Sequence, residues 1–157
     1  NKIDTYLTVC SSSLKGVKLS GSGDLYIEEA LATEDDFTIE TSGSGDVDIA
    51  SMTASSTTVS LTGSGDARVG SMTVSSAEFK SSGRGDIEAE EVKAESISIK
   101  TTGSGDCSLC CKDSGTLSVQ ISGSGDVILR GTARALINIS QTGSGEFNMS
   151  DLTLSGK

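Results

Sequence analysis

Seven copies of one tetrapeptide, Gly-Ser/Arg-Gly-Asp/Glu, begin at residues 21, 43, 63, 83, 103, 123 and 143, which makes the chain a 20-residue repeat with one unit of 22. A fixed period in this range belongs to stacked units, each of which buries an apolar face only against its neighbours. With positions numbered from the first Gly of each unit, positions 5 and 7 hold Leu25 and Ile27, Val47 and Ile49, Ala67 and Val69, Ile87 and Ala89, Cys107 and Leu109, Val127 and Leu129, Phe147 and Met149. Such strict alternation is the signal of a half-buried strand. Shorter apolar pairs recur at positions 10 and 12, as in Met52 and Ala54, Met72 and Val74, Val92 and Ala94, Leu152 and Leu154. Others fall at 15 and 17: Phe37 and Ile39, Ala77 and Phe79, Ile97 and Ile99, Leu117 and Val119, Ile137 and Ile139.

These columns predict an all-β fold, a single-stranded right-handed parallel β-helix of about eight coils of ~20 residues with three short strands per coil. Each strand pairs with its equivalents one coil above and below, and right-handed coiling follows the handedness of parallel crossovers. The chain reads as one β-helix domain, 1–157. Residues 1–20 form an atypical first coil, with Leu7, Val9, Leu14, Val17 and Leu19 apolar and no Gly-Ser-Gly, and 21–157 carry the repeats. At the ~4.8 Å spacing between strands the body should be roughly 35–40 Å long. Proline is absent, which suits uninterrupted hydrogen-bond ladders. Leucine-rich repeats need a leucine ladder and a recurring Asn that are missing here, and calcium-binding nonapeptide rolls share the Gly-Ser-Gly-Asp unit only in part.

Continued alternation through the tetrapeptide puts positions 20, 2 and 4 on the solvent face and both glycines inside. The glycines then answer a need for positive φ at a corner or for close backbone approach. Position 4 supplies one carboxylate per coil: Asp24, Asp46, Asp66, Asp86, Asp106, Asp126 and Glu146. At about 5 Å separation, adjacent charges repel by on the order of 0.8 kcal/mol in water and about 3 at an effective dielectric of 20. The favoured relief is local, with Asp in a Gly-rich turn accepting backbone N–H bonds while its side chain stays hydrated. The competing reading is a cation ladder holding Ca²⁺ between coils, disfavoured because each coil brings a single carboxylate. Arg84-Gly85-Asp86 spells an adhesion tripeptide, but its six sister repeats account for the Gly and Asp, leaving one Ser replaced by Arg.

Histidine is absent, which removes the commonest general base and transition-metal ligand. No catalytic residue, cofactor-binding residue or metal ligand is expected, and the protein is read as not an enzyme. A catalytic pair should be a local departure from the repeat, whereas these acids recur coil after coil. Cys107, Cys110 and Cys111 form a C-x-x-C-C cluster without a second pair, a weak zinc signal. Cys10 lies five coils earlier, ~24 Å away by coil rise, too far for a disulfide. Cys107 and Cys111 are expected to fill inward positions and Cys110 to be exposed. Tyr6 and Tyr26 share position 6 of consecutive coils, a cross-strand pair or a small aromatic ledge. A net charge of -10 opposes binding to nucleic acid or to an anionic membrane surface. No apolar run is long enough to span a membrane, and no leader is visible at Asn1, so any leader is taken to have been removed.

The stretch Tyr6-Leu-Thr-Val-Cys10, then Leu14-Lys-Gly-Val-Lys-Leu-Ser-Gly-Ser-Gly-Asp-Leu-Tyr-Ile27, followed by the recurrent Ser/Thr-Gly-Ser-Gly-Asp, resembles the auto-transporter adhesin "head GIN" domain family across essentially the whole chain. The family's N-terminal Gly-Ile-Asn motif is not among these residues, so the chain is expected to begin inside the family's domain. The resemblance implies a right-handed β-helix exported by a Gram-negative bacterium to the periplasm, outer membrane or cell surface. There it would serve as a non-catalytic adhesin or scaffolding module whose ligand is an unknown envelope, protein or glycan partner. The alternative is a carbohydrate-binding or carbohydrate-active β-helix protein.

Overall fold

The computed structural model describes residues 4–6, 16–21, 24–32, 34 and 36–154. These form ten strands and no helix: β1 (Asp4–Tyr6), β2 (Gly16–Gly21), β3 (Asp24–Ala32), β4 (Asp36–Gly43), β5 (Val47–Gly63), β6 (Ala67–Gly83), β7 (Ile87–Gly103), β8 (Cys107–Gly123), β9 (Val127–Thr142) and β10 (Phe147–Leu154). Every pairing is parallel and joins a coil to the next, as in Val47↔Ala67 and Ala67↔Ile87. The result is a β-helix with six complete turns from Gly21 to Gly143 and part coils at both ends. The 22-residue unit absorbs its extra residues one at a time. Ile27 faces Ile49, Ala30 faces Ser51, and Asp36 faces Ser56.

The three strand segments of each coil run on as one strand of 17 residues in β5 to β8. Two corners show as paired non-buried residues, Ala50-Ser51 and Ser55-Ser56 in β5, where the ladder passes over Ala50 and Ser55 and resumes in register. From β5 to β8 the strand itself is interrupted only at the Gly-Ser-Gly-Asp corner.

Positions 5, 7, 10, 12, 15 and 17 are buried through the middle of the stack, with Phe37 and Phe79 fully enclosed. A further inward column at position 19 escaped the apolar pattern because its residues are mixed: Thr41, Leu61, Ser81, Thr101 and Ile121. Two residues assigned inward are 45% exposed, Ile139 and Leu154. β10 covers β9 only over Val127–Ala133, and among the described residues no strand covers the rest of β9 or the outer edge of β10. Leu7, Val9, Cys10 and Leu14 lie outside the described residues.

The glycines fill both roles foreseen for them, and position 1 fills the two at once, since a Cβ on Gly63 would also strike the Gly43 carbonyl oxygen. Position 3 is buried, and a Cβ on Gly65 would run into the carbonyl oxygen of Gly45. Position 1 is not inside, contrary to the alternation. Gly63, at φ 113°, is exposed at a corner where the chain turns through a left-handed conformation, which glycine adopts at least cost.

β8 departs from the period. Cys111 faces Val92 and the register returns at Thr116↔Ser96, so Lys112–Gly115 carries one extra residue. Asp113 takes it up with φ 51°, the non-glycine positive φ of the described residues. Ser114 is buried, and its hydroxyl donates to the Val92 carbonyl at 3.0 Å, which pins the bulge to the coil below.

Thr101 Oγ1 is buried and has no hydrogen-bond partner among the described residues, in the column that holds Leu61 and Ile121. An unsatisfied buried hydroxyl costs roughly 1–3 kcal/mol. Thr101→Val is therefore expected to stabilise the fold by about 1 kcal/mol, seen as a melting temperature higher by roughly 2–4 °C; a lower one would show that the hydroxyl is bonded.

Candidate functional site

The position-4 carboxylates form a continuous column, and their task is axial rather than local. The backbone N–H of Asp46 donates to Oδ1 of Asp24 at 3.1 Å. The same bond recurs from Asp66 to Asp46 and from Asp86 to Asp66 at 3.0 Å, from Asp106 to Asp86 at 2.8 Å, from Asp126 to Asp106 at 2.9 Å and from Glu146 to Asp126 at 2.8 Å. The sequence places acceptance of N–H bonds within the turn; the donor instead belongs to the coil above. The cause lies in the corner itself. The carbonyl of Asp66 is taken by the Val47 N–H at 2.8 Å, and the Gly43 carbonyl by the Ser64 N–H at 2.8 Å. The position-4 N–H is left facing the coil below without a carbonyl, and the Asp side chain supplies the oxygen.

Magnitudes favour this arrangement. A hydrogen bond to a charged group contributes about 1.5–3 kcal/mol, against on the order of 0.8 kcal/mol of repulsion between hydrated neighbours about 5 Å apart. Asp46, Asp66, Asp86 and Asp106 are exposed, so water screens the column. Asp24 is buried at 6% exposure. Glu146 ends the ladder: among the described residues no N–H lies over it, so the reach of an Asp is not required. One further acid in this register was missed in the sequence. Asp4 faces Asp24 and Tyr6 faces Tyr26 in register, so Asp4 occupies position 4 of a coil that lacks the tetrapeptide; the shared Asp-x-Tyr was the available signal.

Arg84-Gly85-Asp86 is a rung of the same ladder, with Gly85 buried and Oδ1 of Asp86 accepting from Asp106. Among the described residues no group of three or more His, Cys, Asp or Glu is placed to hold a metal ion. Beside the ladder runs the outward position-6 column, Tyr26, Asp48, Arg68 and Glu88, where Arg68 and Glu88 pair at 3.4 Å across the surface.

Cys107, Cys110 and Cys111 are free thiols. Burial pushes Cys107 up to about 12, with the Cys111 thiol and the Asp106 and Asp86 carboxylates adding to it. Burial likewise pushes Cys111 up to about 11 against the lowering effect of its hydrogen bond with Ser114, and Cys110 adds to the rise. Both sulfurs stay protonated at ordinary pH, so neither is a nucleophile. Cys110 is half-buried on the outside.

A further concavity lies along the corner that follows position 12, with a volume of about 700 Å³. Lys93, Glu95, Asp113 and Arg134 stand on its rim. Sequence reasoning passed over these residues, although the failed apolar pair at Lys112-Asp113-Ser114-Gly115 marked the spot.

A parallel β-helix laced by one acidic rung per coil is thus the class of protein that these residues define. The family described as "Putative auto-transporter adhesin, head GIN domain" matches over residues 1–116, and the chain belongs to it. The repeat continues past that match through β9 and β10. No curated protein and no solved structure matches the chain. Among the described residues no helix is long and apolar enough to cross a membrane.

Asp86→Ala is expected to cost about 1.5 kcal/mol, because it strands the Asp106 N–H, whereas Asp86→Asn retains an acceptor oxygen and should cost less than half of that. Equal losses in chemical denaturation would show that charge, not the hydrogen bond, is the contribution. Alkylation at pH 8 read by peptide mass should modify Cys110 well before Cys107 and Cys111; equal rates would contradict the burial of the latter two.

Proposed function

We propose that this protein is an exported, non-catalytic β-helix that acts without a cofactor as an adhesive or scaffolding module of a Gram-negative cell envelope. The observation that carries this reading is the contrast between what repeats and what does not. The inward columns and the Gly-Ser-Gly-Asp corner recur with little change and are occupied in holding coil to coil. The outward columns change chemistry from coil to coil. Position 6 reads Tyr26, Asp48, Arg68, Glu88, Ser108 and Ile128, and position 18 reads Glu40, Ser60, Lys80, Lys100 and Gln120. A rigid stack with a variable exterior suits display, as in other repeat proteins that bind along an extended face. Membership of a family named for adhesins supports the same reading, as does a net charge of -10, which disfavours nucleic acid and anionic bilayers.

Antibody against the purified domain should label intact cells of the source organism, and the domain should bind isolated envelopes while releasing no reducing ends from acidic or neutral polysaccharides. Calcium should raise its melting temperature no further than NaCl at matched ionic strength. Labelling only after lysis, or release of reducing sugar, would contradict the reading; a calcium-specific rise lost in Asp66→Asn with Asp86→Asn would make the ladder a metal site.

A further inference from the structure

We infer that the groove along the corner after position 12 is the ligand-binding site of this module, and that it takes a neutral polyhydroxylated chain, a glycan. The inference rests on the adhesive reading above and names its site and ligand class.

The groove runs across several coils and crosses the β8 bulge. Gly115 packs directly on the Glu95 backbone, where a Cβ would strike the Glu95 carbonyl oxygen. The register Ser114↔Ala133 and Thr116↔Ala135 sets Arg134 over Gly115. Glu95, Gly115 and Arg134 therefore follow one another over three coils, with the buried Gly115 between the two exposed charges. Two coil rises, about 10 Å at the backbone, separate Glu95 from Arg134, and among the described residues no ion pair joins them. The bulge also brings Asp113 to the rim beside Lys93 of the coil below. A bulge beside a site that re-aims a side chain is a recognised use of this irregularity, and a left-handed non-glycine residue such as Asp113 carries a conformational cost that the Ser114 anchor sustains.

Four charged groups of both signs meet at this groove. Some surface charges pair, Lys18 with Glu40, Arg68 with Glu88, Lys80 with Glu78 and Lys112 with Glu91, while among the described residues others such as Arg84, Lys100 and Arg130 stand alone. Among the described residues Lys93, Glu95, Asp113 and Arg134 have no ion-pair partner, although all four rim one groove. Two cations and two carboxylates cancel, so the groove favours neither sign of ligand. They offer separate strong donors and strong acceptors at fixed places. A sugar hydroxyl is donor and acceptor at once and is suited to both. Thr53 and Thr73 extend the polar rim, while Ala54, Val74 and Ala94 provide an apolar floor for the C–H face of a ring. The volume of about 700 Å³ falls within the range of sites that enclose small ligands.

The test uses the whole domain on an array of neutral β-linked gluco-, galacto- and mannooligosaccharides and uronic-acid oligosaccharides, followed by titration calorimetry. The variant Glu95→Gln with Asp113→Asn removes both carboxylates, and Asn keeps a tolerance for the left-handed backbone. Melting curves confirm that it folds, and Lys100→Gln on another face is the control. The expected result is binding to neutral oligosaccharides, weakened at least tenfold in the double variant and unchanged in the control. No binding to any neutral oligosaccharide, preference for uronic acids, or undiminished binding by the double variant would each overturn the inference. In an envelope-binding assay, retained binding by the double variant overturns the groove and leaves the adhesive reading intact; failure of the unmodified domain to bind overturns that reading itself.

Discussion

Once per coil the backbone has to turn while four successive residues keep their polar groups satisfied, and the position-4 carboxylate is what makes that corner closable. At the other two corners the parallel ladder passes over one residue and resumes in register through the middle of the stack. At this one a left-handed glycine reverses the pattern, the neighbouring carbonyls are spoken for, and an N–H is left over. The carboxylate one coil below accepts it. The four residues therefore act as a unit. The first glycine permits the turn, both glycines permit coil to lie on coil without a Cβ against a carbonyl, and the Asp replaces the missing acceptor. Substituting any one of the three strands the contribution of the other two.

This division explains which parts of the molecule could be read from residues alone. The period gave away the apolar columns because burial repeats with alternation, and Val47, Val69 and Ile97 all sit where alternation puts them. The corner was read only in part. Alternation cannot reveal that Gly63 leaves the inside, since a change of hand at one residue moves its neighbours without changing their types. Nor can it show that the donor to Asp66 comes from Asp86, which is near in space and 20 residues away in the chain. The column at position 19 was hidden by its own composition, with Thr101 and Ser81 buried beside Leu61. Ile139 and Leu154 broke the expectation for a different reason: a column is buried only where a coil lies over it.

The candidate site was less legible than the fold because its elements are departures rather than repeats. The acidic column attracts attention by recurring, yet recurrence here marks structure. Glu95, Asp113 and Arg134 occur once each in their settings, and they meet where the residue that β8 loses before Cys111 is regained over Lys112–Gly115. In a repeat protein the chemistry to look for is where the period fails and the failure is anchored, as the buried Ser114 hydroxyl anchors this one.

The account depends on the position-4 amide being bonded to the carboxylate below it, and amide hydrogen exchange followed residue by residue tests that directly. The amide of Asp106 should exchange slowly although its residue is exposed, with protection comparable to its strand neighbours. In Asp86→Ala that amide should exchange much faster, while the amide of Ile87, bonded to the Asp106 carbonyl, keeps most of its protection. Rapid exchange at Asp106 in the unmodified protein, or no change at Asp106 in the variant, would contradict it.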